Sequence, residues 1–123
     1  MTKQYDLIVI GTGAANIVTD AAARRGLHIA IVERGKFGGT CLNRGCIPTK
    51  ILVTPANCVR EIREAERIGV KAGTPSLDWR LVSDRLWKYL NAASPGTRNY
   101  YAAMDIIDIY EGTASFIGKK TLR

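Results

Sequence analysis

The 123-residue sequence offers little from which a metal centre or a membrane anchor could be built. It has three cysteines, one histidine and no long apolar run. A zinc knuckle needs more ligands at close spacing than Cys41 and Cys46 provide, and only Cys58 and His28 remain as further candidates. No apolar run approaches the roughly 20 residues of a membrane span, and too few positive charges precede the first apolar segment for a signal peptide. We therefore expect no metal, no membrane contact and a cytoplasmic location.

Acidic residues are also scarce, at 11 against 18 basic ones, which gives a formal charge of +7. Basic chains attract polyanions such as nucleic acid. The bases here are scattered among acids, including Glu61, Glu64 and Glu66, and form no single stripe with interleaved aromatic residues. We interpret them as solvated helix faces and expect no nucleic-acid partner.

The beginning of the chain has the pattern of a dinucleotide-binding unit. Residues 5–10 form a short, branched apolar run that predicts a buried parallel strand. Gly11 then permits a tight turn, Gly13 allows close approach of a pyrophosphate, and a helix beginning near Ala14 directs its free N–H groups at that anion. Asn16 stands where a third glycine is usual, and Ala14 and Ala15 keep the approach small.

A second parallel strand is predicted at residues 27–32, with His28 in the turn that enters it. Glu33 ends this strand twenty residues after Gly13, an offset at which an acid can accept hydrogen bonds from a ribose hydroxyl. The alternative is an exposed acid with no such role.

Two cysteines, Cys41 and Cys46, follow a pair of glycines at the start of a predicted helix. Pro48 is compatible with the first turn of that helix, but it would distort a helix that began as early as Cys41. The helix dipole, Arg44 and Lys50 are all expected to stabilise thiolates. A redox-active pair is the leading interpretation, with a structural disulfide and a zinc ligand pair as alternatives.

The rest of the chain predicts two more helices and a third strand. The first helix carries Cys58, expected as a buried or half-buried free thiol, and the second includes Trp87 as a packing residue. Residues 94–96 (Ser-Pro-Gly) predict a turn, and residues 106–110 predict the strand.

The segment 38–50, Gly-Gly-Thr-Cys-Leu-Asn-Arg-Gly-Cys-Ile-Pro-Thr-Lys, resembles the active-site signature of the flavoprotein disulfide reductases. This family includes dihydrolipoamide dehydrogenase, mercuric reductase, glutathione reductase and mycothione reductase. The opening residues 11–16 and the stretch after Pro75 resemble mycothione reductase in particular. Arg44 departs from the signature, which usually has a small apolar residue there.

The resemblance implies a role for each matching residue. Cys41 would be the interchange thiol that attacks the substrate, Cys46 would be the thiol beside the flavin, and the two would form a disulfide. Lys50 would lie beside the flavin ring. The cofactor-binding residues implied for FAD are Gly11, Gly13, Ala14, Ala15, Glu33, Arg34, Gly39, Thr40, Lys50, Thr113 and Ala114.

The fold class implied is α/β, a three-layer Rossmann-like FAD-binding domain with a parallel sheet, incomplete at its carboxyl end. Residues 1–123 would be its amino-terminal part, and the rest of that domain, the NAD(P) domain and the dimerisation domain would lie outside this sequence. The complete protein would be a homodimer that passes electrons from NAD(P)H through FAD to the cysteine pair and on to a small-molecule disulfide or a metal ion. We expect no turnover from these residues alone. The alternative is a stand-alone nucleotide-binding or thiol-redox module, and the substrate and the choice of NADH or NADPH stay open.

Overall fold

The computed structural model describes residues 2–123, which form an α/β fold with five strands, four α-helices and a short 3-10 helix at Ala65–Ile68. The strands are β1 (Leu7–Ile10), β2 (Ile29–Glu33), β3 (Ile107–Glu111), β4 (Phe116–Gly118) and β5 (Thr121–Leu122). The helices are α1 (Asn16–Ala23), α2 (Gly39–Asn43), α3 (Cys46–Glu64) and α4 (Trp79–Ala102).

A parallel sheet of three strands in the order β1-β2-β3 carries the site. Leu7 pairs with Ile29, and Ile29 pairs with Ile107, so the three strands start level. The central strand β2 is the most deeply buried, with Ile29 and Ile31 fully shielded from solvent. Since all three strands run the same way, their carboxyl ends meet at one edge of the sheet. The predicted parallel α/β architecture is confirmed.

Helices cover one face of this sheet. The core on that face contains Val9, Ile31 and Ile107 from the strands, with Ala22 of α1 and Tyr101 of α4. The Tyr101 hydroxyl donates to the Asp20 carboxylate at 3.0 Å and so joins α4 to α1. Burial, followed by this hydrogen bond, raises the pKa of Tyr101.

The opposite face of the sheet looks towards the β4–β5 hairpin. A cavity of about 750 Å³ lies between them, with Ile8, Ala30 and Val32 from the sheet and Ile117 and Leu122 from the hairpin among its lining residues. Helices, sheet and hairpin therefore form three successive layers. Among residues 2–123, no helix is both long and apolar enough to cross a membrane.

The cysteine segment differs from the single helix that the sequence predicts. The two cysteines lie in separate helices, because the chain breaks between Asn43 and Cys46. Gly45 lies at this break, and a Cβ atom there would come within 3.0 Å of the Thr40 carbonyl oxygen. Pro48 thus falls at the third residue of α3, where its missing N–H costs no intrahelical bond.

The turn predicted at residues 94–96 is wrong, because α4 continues through Ser94, Pro95 and Gly96. Leu86, Leu90, Ser94 and Tyr101 are its buried residues, and they form one stripe on both sides of the proline. Their packing outweighs the roughly 3 kcal/mol by which proline disfavours a helix interior. Trp87, expected as a packing residue, is 54% exposed.

Candidate functional site

The carboxyl ends of the three parallel strands open into a cleft of about 270 Å³. Gly11 and Glu33 line it from the ends of β1 and β2, together with Arg34, Thr113 and Ala114. The structure therefore brings together five residues that the sequence assigned to cofactor binding. Arg34 is the only basic side chain among the described lining residues of this cleft.

The glycine-rich turn after β1 presents unpaired backbone donors. Gly11 has a φ of +88°, a conformation that favours glycine. Within residues 2–123, the amides of Gly13, Ala14 and Ala15 donate to no protein acceptor, whereas the next amide, that of Asn16, already donates to the Gly13 carbonyl at 3.1 Å. Three successive free N–H groups at the start of a helix form a site that suits a phosphate.

Glu33 is held rigidly at the end of β2. Its Oε2 accepts from the Thr12 amide at 2.9 Å and from the Thr12 hydroxyl at 2.6 Å, while its Oε1 accepts from the Gly35 amide at 2.9 Å. Partial burial acts to raise the pKa of this carboxyl, but the hydrogen bonds outweigh it and the net pKa is lowered. Glu33 is therefore a charged acceptor beside the cleft at neutral pH.

Thr12 is a central residue of the site that the sequence analysis missed. It is 1% exposed, and besides contacting Glu33 its hydroxyl accepts from the Gly38 amide at 2.9 Å. The sequence does place Thr12 between Gly11 and Gly13, but the glycine-rich pattern assigns no role to the side chain between these two glycines.

A second contact joins the glycine-rich turn after β1 to the start of α2. A Cβ atom on Gly39 would lie 2.4 Å from the Gly13 Cα, so the two backbones touch where any other residue would overlap. The turn after β1 and the start of α2 are therefore packed directly together.

The Asn43 side chain also holds the segment from Phe37 to Gly39 in place. Its Nδ2 donates to the carbonyls of Phe37 and Gly39, each at 2.9 Å. The Oδ1 atoms of Asn43 and Asn16 are buried and have no hydrogen-bond donor among residues 2–123. A bound group with hydroxyl or N–H donors could satisfy either of them.

Cys41 and Cys46 are exposed free thiols in the structure. The neighbouring Cys46 side chain raises the pKa of Cys41, whereas the Cys46 backbone N–H and the Lys50 charge act to lower it. The predicted direction of the Lys50 effect agrees with this, but the net pKa of Cys41 is raised because the influence of the second thiol outweighs that charge.

The remaining predicted residues lie in α2, at its carboxyl end or in α3. Thr40 is exposed next to Cys41, and Lys50 lies one turn beyond Cys46 on α3. Cys58 is exposed, so its predicted burial is wrong. Arg44 is exposed at the carboxyl end of α2. In the part of the chain that the structure describes, no group of three or more His, Cys, Asp or Glu residues is arranged to hold a metal ion.

Comparison with known proteins gives consistent matches across the chain. The family model described as pyridine nucleotide-disulphide oxidoreductase matches residues 5–123. A dihydrolipoyl dehydrogenase of Bacillus subtilis is 36% identical over 119 residues, covering 94% of this chain and 26% of that protein. A mycothione reductase of Mycobacterium tuberculosis is 38% identical over 116 residues, covering 93% of this chain and 25% of that protein.

Among solved structures, the HOCl-induced flavoprotein disulfide reductase RclA from Escherichia coli, as a Cu(II) complex, matches with a TM-score of 0.76. The sequence identity is 29%, and the match covers 96% of this chain and 24% of that one. The chain therefore spans about a quarter of the length of the proteins it matches.

Proposed function

Because the chain belongs to the pyridine nucleotide-disulphide oxidoreductase family, we propose that it is the amino-terminal part of an FAD-binding domain. The complete protein would be a homodimeric enzyme that passes electrons from NAD(P)H to a small-molecule disulfide. The observation that supports this most is the placement of Glu33 beside three unpaired amides at the carboxyl edge of a parallel sheet.

The glycine-rich turn and the neighbouring cleft suit different parts of a dinucleotide. The free amides of Gly13, Ala14 and Ala15 in the turn would hold the pyrophosphate, and Glu33 in the cleft would accept a hydrogen bond from a ribose hydroxyl. Arg34, Thr113 and Ala114 would line the adenine side, while Gly39, Thr40 and Lys50 would contact the cofactor near the cysteines. FAD, when bound, would carry the two electrons that NAD(P)H supplies.

The cysteines would deliver these electrons by thiol–disulfide exchange. In the reduced pair, the Cys41 thiolate attacks one sulfur of the substrate disulfide, forms a mixed disulfide and releases one substrate thiol. The Cys46 thiolate then attacks the Cys41 sulfur, which restores the Cys41–Cys46 disulfide and releases the second thiol. Lys50 would favour the thiolate form of Cys41, since its charge lowers the pKa of that group.

A flavin titration tests the proposal. In the complete protein, the wild type should quench FAD fluorescence on binding, and Glu33→Ala should bind at least tenfold more weakly, since a charge-assisted hydrogen bond contributes about 1.5–3 kcal/mol. Glu61→Ala is the matched control, because Glu61 is an exposed acid on α3. An unchanged dissociation constant for Glu33→Ala would show that Glu33 does not contribute to FAD binding. A wild type that binds no FAD would overturn the proposed function itself.

A further inference from the structure

The Thr12 hydroxyl lies between the nucleotide cleft and the cysteine segment. It is 2.6 Å from Glu33 Oε2 on one side and 2.9 Å from the Gly38 amide on the other. These contacts join the Thr12 segment to two others, which are 21 and 26 residues away from it in sequence. Because Thr12 is 1% exposed, water has almost no access to take the place of either bond.

The direction of both bonds is fixed by chemistry. The Gly38 amide can only donate, and the ionised Glu33 carboxylate can only accept, so the single hydroxyl proton must point at Glu33. A hydroxyl that donates to a charged acceptor becomes a stronger acceptor itself. The charge on Glu33 therefore strengthens the hydrogen bond that the Gly38 amide donates to Thr12.

Gly38 immediately precedes α2, and Cys41 lies three residues further on. The next residue, Gly39, is the one that touches Gly13. A displacement of Gly38 would thus move the start of α2 and change the distance between the Cys41 and Cys46 thiols. Nothing else among the described residues accepts the Gly38 N–H.

Building on the proposed nucleotide-binding role of Glu33, we propose that Thr12 is a positioning residue that couples the Glu33 carboxylate to the placement of Cys41. It touches neither a reacting sulfur nor the open cleft. It acts by holding the Gly38 amide, and through it α2, at a fixed distance from the end of β2.

The test compares Thr12→Val, which removes the hydroxyl at nearly constant shape, with Thr12→Ser, which keeps it. Thr19→Val is the matched control, since Thr19 is also fully buried but its hydroxyl bonds only to the Ala15 carbonyl of its own helix region. Two readouts need no flavin: hydrogen exchange of the Gly38 amide, and the alkylation rate of Cys41 relative to the exposed Cys58 in the reduced protein.

Thr12→Val should speed exchange of the Gly38 amide by about tenfold or more, the effect of losing one buried hydrogen bond. It should also raise the Cys41 to Cys58 labelling ratio by about threefold, because a loosened α2 leaves the Cys41 thiol more accessible to the reagent. Thr12→Ser and Thr19→Val should stay close to wild type. Equal exchange and equal labelling in Thr12→Val and wild type would overturn the proposal.

A measurement on the wild type covers the case in which Thr12→Val does not fold. The NMR shift of the Gly38 amide should follow the acid titration of Glu33, and an amide that does not respond would refute the coupling. The other charged group of the described cleft lining is Arg34. None of these measurements requires bound FAD. A protein that fails to bind FAD would contradict the proposed function, whereas a Gly38 amide that does not respond would contradict the coupling.

Discussion

Replacing Gly39 with alanine should destabilise the protein more than replacing any glycine that has only an unusual backbone angle. Gly39 has a φ of +64°, and its Cβ would lie 2.4 Å from the Gly13 Cα. The left-handed conformation costs a non-glycine residue about 1–2 kcal/mol. The overlap with backbone adds about 1–3 kcal/mol, because neither Gly13 nor its neighbours can rotate away as a side chain could. The expected loss is therefore about 2–5 kcal/mol.

Gly69→Ala is the control for the conformational part of this cost. Gly69 has a φ of +83°, and a Cβ there meets nothing within 4 Å, so the variant should lose only about 1–2 kcal/mol. Urea unfolding followed by circular dichroism gives the free energy of unfolding for all three proteins. If the two variants lose the same stability within about 0.5 kcal/mol, the Gly13–Gly39 contact is not the close approach that we describe.

Three further predictions concern the cysteines, the acid and catalysis. In an oxidised sample, peptide mapping after alkylation should find Cys41 bridged to Cys46 and Cys58 free; free labelling of the first two, or a bridge to Cys58, contradicts this. Although burial opposes it, hydrogen bonding holds the pKa of Glu33 below the ordinary 4.5, so its stabilising contribution is complete above about pH 4.5 and is lost as the pH falls through the lower folded value. The stability of Glu33→Gln should therefore decline less than that of wild type in acid urea titrations, and equal slopes would refute the effect. With FAD, NAD(P)H and a small disulfide, the 123-residue chain should show no sustained turnover, because hydride delivery needs a nicotinamide held against the flavin and proton transfer to the Cys41 thiol needs a positioned base. The one histidine of the chain, His28, precedes β2, at the opposite end of that strand from Glu33. Turnover above a protein-free control would contradict this prediction.

Features encoded by local patterns could be predicted from the sequence. The two strands and Glu33 follow from apolar runs and a fixed offset after the glycine turn, and the structure has Glu33 as the last residue of β2. The compatibility of Pro48 with a first helical turn was also predictable, since it depends only on one missing N–H. Each of these inferences uses residues close together in the chain.

Features that depend on packing could not be predicted in this way. The break between α2 and α3 lies at Gly45, where a Cβ atom would come within 3.0 Å of the Thr40 carbonyl oxygen, and the continuity of α4 through Pro95 follows from a buried stripe on both sides of it. Local propensity favoured the opposite outcome at Pro95. Propensity differences of a few kcal/mol are outweighed when several side chains are buried together.

The environment of Glu33 shows how such contacts shape a site that the sequence does locate. Thr12 donates two hydrogen bonds to the carboxylate and Gly35 donates one, so the protein itself orients this group. On the proposed ribose-binding role, removing Glu33 would weaken ligand binding and would also release Thr12, and through Thr12 the Gly38 amide. The two consequences separate when Glu33→Ala and Thr12→Val are compared: both should free Gly38, but the first also removes the charge and the acceptor that face the ligand.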